Sequence, residues 1–122
     1  DSVVRGTSSK IFVKALKRAG AKKVKMVVTF PPISHPCYMG VDFPSREELL
    51  AYQVAPGETD IKKIGDQVAS FIGVEEFRYN DINGLAEAIG LPKRSLCFSC
   101  INGDYSKLGI TPRFKSRKEM KS

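Results

Sequence analysis

The chain has 122 residues, 42% hydrophobic and 27% charged, and carries a net charge of +7 from 20 Lys and Arg against 13 Asp and Glu. That length suits one domain and is too short for two. The composition excludes a disordered chain, no apolar run approaches the roughly 20 residues of a bilayer-spanning helix, and the positive balance suits an anionic partner, either nucleic acid or a phosphorylated metabolite.

Asp1 to Lys10 is polar and leads into an amphipathic segment, unlike a secretory signal. The expected compartment is therefore the cytoplasm, where thiols stay reduced. No initiator methionine precedes Asp1, so a fragment or a processed product is expected. Val3 and Val4 read as the end of an apolar stretch, and Arg5-Gly6-Thr7-Ser8-Ser9 as a hydroxyl-rich turn. Ser9 to Ala19 is helical in pattern, with Ile11, Phe12, Ala15, Leu16 and Ala19 on one face and Lys10, Lys14, Lys17 and Arg18 on the other. A hydroxyl of Thr7 or Ser8 is expected to cap it, and Gly20 to close it. Val24 to Phe30 is rich in β-branched residues and reads as a strand stopped by Pro31-Pro32. Strand end, turn, helix and strand make a βαβ unit with a parallel sheet.

Ser34 to Pro44 is a loop holding His35 and Cys37. Ser45-Arg46-Glu47-Glu48 has the form of a capping box opening a short helix through Leu49, Leu50 and Ala51. Asp60 to Ile72 predicts a second helix with Ile61, Ile64, Val68, Phe71 and Ile72 inward, although Gly65 weakens it by about 1 kcal/mol. Phe77 to Tyr79 is a weak strand. Asp81 caps a last helix through Leu85, Ala86 and Ile89, closed by Gly90. Arg113, Lys115, Arg117, Lys118 and Lys121 crowd the end against Glu119, and this tail reads as a solvated, flexible end. Aromatics are not interleaved with the charges as single-strand binding would require.

The turn at Gly6 carries the first chemistry. A glycine lets backbone pass close to a ligand, and the helix after it aims free N–H groups and the positive end of its dipole at the loop. Thr7 and Ser8 add hydroxyl donors, and Asp1 upstream could hold sugar hydroxyls or magnesium, which prefers oxygen ligands. On these grounds it is an anion site with a polyol or metal handle, or else an ordinary helix start.

Asp1-Ser2-Val3-Val4-Arg5-Gly6-Thr7-Ser8-Ser9 resembles the phosphoribosyl pyrophosphate motif of type I phosphoribosyltransferases, in the form found in amidophosphoribosyltransferases. Asp1 matches the second of that motif's two adjacent acids, and Ser8 stands where the family usually has a second threonine. The resemblance continues through Pro31 to Asp42, Ser45 to Ala51 and Ile72 to Gly90. It fits poorly from Tyr52 to Ser70 and is not seen after Tyr105. It implies that Asp1 approaches the ribose hydroxyls and magnesium, while Val4, Arg5, Gly6, Thr7 and Ser8 cradle the 5-phosphate, Val4 and Gly6 by backbone alone. No catalytic base is visible, and an ammonia nucleophile would barely need one.

Three cysteines leave one over for disulfides. Cys97-Phe98-Ser99-Cys100 brings two thiolates to one centre, and Cys37 could join them. Spacing alone suggests zinc, with His35 able to complete a Cys3His set; a four-iron cluster wants four thiolates. One branch of the amidophosphoribosyltransferases carries a [4Fe–4S] cluster, and Cys37, Cys97 and Cys100 match three of its ligands. Asn102 to Tyr105 resembles the stretch after that branch's last cysteine. The resemblance implies a structural cluster whose fourth ligand lies in the preceding part of the enzyme; zinc is the alternative. His35 is assigned no role.

The expectation is an α/β chain: the C-terminal half of a type I phosphoribosyltransferase fold, a parallel sheet flanked by helices. Residues 1–105 would form that part with its cluster-binding end, and residues 106–122 the basic tail. The complete enzyme would draw ammonia from glutamine through an N-terminal domain not in this chain. It would load that ammonia onto phosphoribosyl pyrophosphate for purine synthesis, as a homo-oligomer with no nucleic-acid or membrane partner. The isolated chain is expected to have no turnover. The rival readings are a non-catalytic phosphoribosyl-binding regulator and a zinc-stabilised nucleic-acid module.

Overall fold

The computed structural model describes residues 2–41 and 45–111. Asp1, the Asp42 to Pro44 part of the loop, and the basic tail from residue 112 onward lie outside them. The elements in order are α1 (Ser2–Arg5), α2 (Thr7–Arg18), β1 (Lys25–Val27), α3 (Leu50–Val54), α4 (Ile61–Ile72), β2 (Glu76–Arg78), α5 (Ile82–Ile89) and α6 (Ser99–Asn102). Short 3-10 turns sit at Arg46–Glu48, Lys93–Ser95 and Ser106–Leu108. β1 and β2 pair in parallel, with Met26 opposite Phe77. The bonds from Val28 N to Arg78 O and from Glu75 N to Val24 O extend the pairing at either end. The fold is α/β, a small parallel sheet flanked by helices, as expected.

The core gathers where α4 lies against the sheet. Ile64, Val68 and Ile72 follow helical spacing and are buried, and Phe77 is fully buried beneath them with Leu50, Val13, Val24 and Val74 around it. Gly65 and Ala69 are also buried, so the inner stripe of α4 is narrower in side chain than the expected one, and Ile61 and Phe71 are only half-buried. Asp60 accepts from the amides of Lys62 at 2.9 Å and Lys63 at 3.4 Å, and Gly73 ends the helix with a positive φ of 88°. Asp81 caps α5 in the same way through the Gly84 amide.

Three local expectations fail. Val3 and Val4 lie in the helical turn α1, not at a strand end. A strand needs a neighbour for its ladder, and among the described residues β1 pairs with β2 alone; Val3 is buried in the core from α1 instead. The capping box is not made: Ser45 offers no side-chain cap, and Arg46–Glu48 is a 3-10 turn ahead of α3. The buried face of α2 is also different. Ser9 and Val13 are buried and Leu16 half-buried, whereas Ile11 and Phe12 are 66% and 59% exposed. Gly6, Ser9, Val13 and Leu16 form one helical stripe. Because Gly6 lies hard against Leu50 and Phe71, that stripe is the one turned inward.

Candidate functional site

Gly6 separates α1 from α2 with φ 82° and ψ −9°, a left-handed conformation that favours glycine. A β-carbon here would stand 2.7 Å from Leu50 Cδ2 and 3.2 Å from Phe71 Cε1. Close packing therefore holds one side of the bend, while Arg5, Thr7 and Ser8 are exposed on the other. The expected hydroxyl cap is replaced by the Gly6 backbone, with no side-chain cap at the helix start and no acidic residue in its first turn. The amides of a first helical turn have no intrahelical partner, and α4 and α5 each meet that need with an aspartate. At the start of α2, Thr7 and Ser8 are exposed while Ser9 is buried, and the positive end of the helix dipole lies at that end.

Arg5 reaches across to Glu48, Nη2 to Oε2 at 3.4 Å, with both side chains about half exposed. A pair of that kind is worth little in water. Lys10, one turn along α2, lies over the Phe71 ring at 3.7 Å. Asp1, the expected ribose and magnesium contact, lies outside the described residues.

The cysteines come from two segments that meet in space. The loop of Ser34 to Tyr38 carries Cys37, and α6 with the residues before it carries Cys97 and Cys100. The amides of Ser34 and His35 both donate to the Cys100 carbonyl, at 3.1 and 3.0 Å. Burial pushes the Cys100 thiol up to about 11, and the charges of Cys37 and Cys97 add to that. Cys97 is exposed and its thiol is lowered, first by the Ser99 amide and then by the Ser99 hydroxyl 3.6 Å away. Cys37 Sγ accepts from the Met39 amide at 3.4 Å.

A zinc ion bonded at 2.3 Å would need its sulfurs about 3.8 Å apart. Among the described residues no group of three or more His, Cys, Asp or Glu stands where it could hold a metal ion. His35 is engaged elsewhere: Nδ1 meets the Ser34 hydroxyl at 2.9 Å, and the ring lies against Gly103, where a β-carbon would be 2.6 Å from Nε2. Burial lowers its pKa, with the Arg46 charge adding to the effect. The Cys3His set is thus not assembled.

A cavity of about 390 Å³ is lined by Val3 and Val4 from α1, just before the Gly6 bend, together with Val28, Tyr79, Cys37 and Cys100, while Arg5 to Ser8 do not line it. The motifs also pass over Ser34, Gly103 and Tyr105. The Tyr105 hydroxyl donates to the Pro36 carbonyl at 2.5 Å, a partner 69 residues away, and no local pattern announces such a bond.

No protein-family model matches the chain. It is 35% identical over 115 residues to the amidophosphoribosyltransferase of Drosophila melanogaster, covering 86% of this chain and 19% of that protein. The enzyme of Archaeoglobus fulgidus is 39% identical, covering 86% and 21%, and that of Synechococcus elongatus 36% identical, covering 98% and 22%. The last match spans nearly the whole chain, so the similarity runs beyond Tyr105, where the motif resemblance ends. Among solved structures, the glutamine phosphoribosylpyrophosphate amidotransferase of B. subtilis, complexed with ADP and GMP, superposes with a TM-score of 0.67 at 31% identity, covering 84% of this chain and 22% of that one. The chain thus spans about a fifth of the length of the relatives it matches. Over that stretch, in sequence and in fold, it belongs to the amidophosphoribosyltransferase family.

Proposed function

We propose that the chain is the phosphate-binding and cluster-binding part of an amidophosphoribosyltransferase. The whole enzyme transfers ammonia taken from glutamine, through a glutaminase domain outside this chain, to phosphoribosyl pyrophosphate. The nitrogen bonds to the anomeric carbon as its bond to the pyrophosphate oxygen breaks, giving phosphoribosylamine and pyrophosphate for purine synthesis. The observation that carries this reading is the start of α2: a left-handed Gly6 packed from behind, with Thr7 and Ser8 exposed in front and no side-chain cap. The 5-phosphate accepts from the amides and hydroxyls of Thr7 and Ser8 and from Arg5, while Val4 and Gly6 shape the backbone. Holding the phosphate fixes the sugar, so that an oxocarbenium-like centre forms at a defined place. Asp1 is the proposed holder of ribose hydroxyls and magnesium; magnesium would supply charge neutralisation at the leaving pyrophosphate.

The thiols are proposed as three corners of a [4Fe–4S] cluster. The match of Cys37, Cys97 and Cys100 to three ligands of the cluster-bearing branch supports this reading over zinc, and the fold brings the Cys37 loop to Cys100. Its role is structural, since amide transfer has no redox step. The fourth thiolate, the glutaminase and the homo-oligomer belong to the complete protein. No nucleic-acid or membrane partner is proposed, and no helix among the described residues is long and apolar enough to cross a membrane. The cytoplasm, a reducing compartment, is the proposed location.

The test is titration of the chain with ribose 5-phosphate and with phosphoribosyl pyrophosphate plus magnesium, monitored by amide NMR. Shifts centred on residues 5–9 that weaken in Thr7→Val are expected, without formation of phosphoribosylamine by the chain alone. Shifts confined to other residues, or turnover by the isolated chain, would refute the reading.

A further inference from the structure

The loop carrying Cys37 is gripped on both sides of that residue. Tyr105 is 2% exposed and donates its hydroxyl to the carbonyl of Pro36, the residue before Cys37. Its ring stands edge-on to that of Tyr38, the residue after, with centroids 5.2 Å apart at 67°. Three and two positions before Cys37, the Ser34 and His35 amides hold the Cys100 carbonyl, and the Ser34 hydroxyl donates to the Ile101 carbonyl at 3.2 Å. The His35 ring fills the place that a side chain at position 103 would need, and Gly103 there has φ 72°.

We infer that Tyr105 and Gly103 are positioning residues that hold Cys37 beside Cys100 before any metal arrives. The Cys37 and Cys100 segments, distant in sequence, are then ordered against each other by the fold rather than at the moment of binding. What the thiols hold rests on the cluster reading above; the grip itself does not.

The experiment uses the reduced, metal-free chain carrying Cys97→Ser, so that only Cys37 and Cys100 remain. Dibromobimane fluoresces when it bridges two thiols, and mass spectrometry identifies the bridged peptides. Rapid bridging of Cys37 to Cys100 is expected in the folded chain. Tyr105→Phe keeps the ring stack and removes the Pro36 bond, and should slow bridging about fivefold, the value of one hydrogen bond. Gly103→Ala should slow it further, and adding His35→Ala should recover part of that loss. Thermal unfolding confirms which variants are folded, and Tyr105→Phe decides the matter should Gly103→Ala fail to fold. Bridging in Tyr105→Phe at the parental rate, or no bridging in the parent, would overturn the inference. Iron and sulfide uptake is measured separately: a chain that bridges as expected but takes up no iron removes the cluster reading and leaves the grip standing.

Discussion

Gly65 of α4 lies directly over Phe77 of β2, so close that a β-carbon at Gly65 would stand 2.8 Å from the Phe77 carbonyl oxygen. The atom it would strike is backbone in the only described sheet, and Phe77 is fully buried, so neither partner can yield cheaply. In a free helix Gly65→Ala would gain about 1 kcal/mol. Here the overpacking outweighs that gain, and a net loss of about 1–3 kcal/mol is expected in urea unfolding. A variant as stable as the parent would show that α4 and β2 can separate without cost.

Gly6 and Gly20 both have positive φ, 82° and 105°, but they differ in surroundings. Gly6 faces Leu50, which is fully buried, whereas among the described residues nothing lies within 4 Å of a β-carbon at Gly20. Alanine at Gly20 should cost the backbone strain alone, about 1–2 kcal/mol. Alanine at Gly6 should cost that strain and about 1–3 kcal/mol more from the collision with Leu50. Urea melts of the two variants measure the difference; equal losses would mean that the bend is not packed from behind. Ribose 5-phosphate binding should also weaken in Gly6→Ala and stay unchanged in Gly20→Ala.

The range of an interaction decides whether the sequence discloses it. Asp60 and Asp81 cap helices two and three residues away, and both are legible because a cap is local. The bend at Gly6 is legible because a left-handed turn between two helices favours glycine. Periodicity finds an apolar stripe on α2 but does not choose between Ile11–Phe12–Ala15 and Ser9–Val13–Leu16; the choice is made by Gly6 against Leu50, a contact across 44 positions of chain. The grip of Tyr105 on Pro36 and the seat of His35 on Gly103 are equally non-local. Valines at positions 3 and 4 suggest a strand by propensity, yet propensity yields where no neighbouring strand offers a ladder.

Glu75 ties α2 to the start of β1. Its carboxylate accepts from Lys17 Nζ at 2.8 Å and from the Val24 amide at 2.6 Å, and the Lys17 and Val24 bonds lower its pKa from 4.5 to about 2. A depressed carboxylate stabilises the fold fully above its unfolded value and loses that contribution as pH falls toward the folded one. Glu75→Gln should therefore melt at a lower temperature than the parent at pH 7. The gap should close progressively as pH drops from about 4.5 to 2. Both groups are partly in water, so the gap at pH 7 should also shrink in high salt. A difference that is flat across this pH range would assign the effect to shape and not to charge.

Ser45 offers the sharpest contrast between pattern and contact. As the first residue of a capping box it would be expected to cost about 1 kcal/mol when replaced by alanine. In the structure its hydroxyl oxygen is buried with no hydrogen-bond partner among the described residues, and the Arg46–Glu48 turn has no side-chain cap. A buried hydroxyl without a partner is a penalty, and removing it relieves that penalty. Ser45→Ala should then leave the urea midpoint unchanged or raise it. Asp60→Ala, which removes the acceptor for the Lys62 and Lys63 amides, should lower stability by about 1 kcal/mol. Measured side by side, a loss at Ser45 equal to the loss at Asp60 would restore the capping box and require a different geometry for the segment that leads into α3.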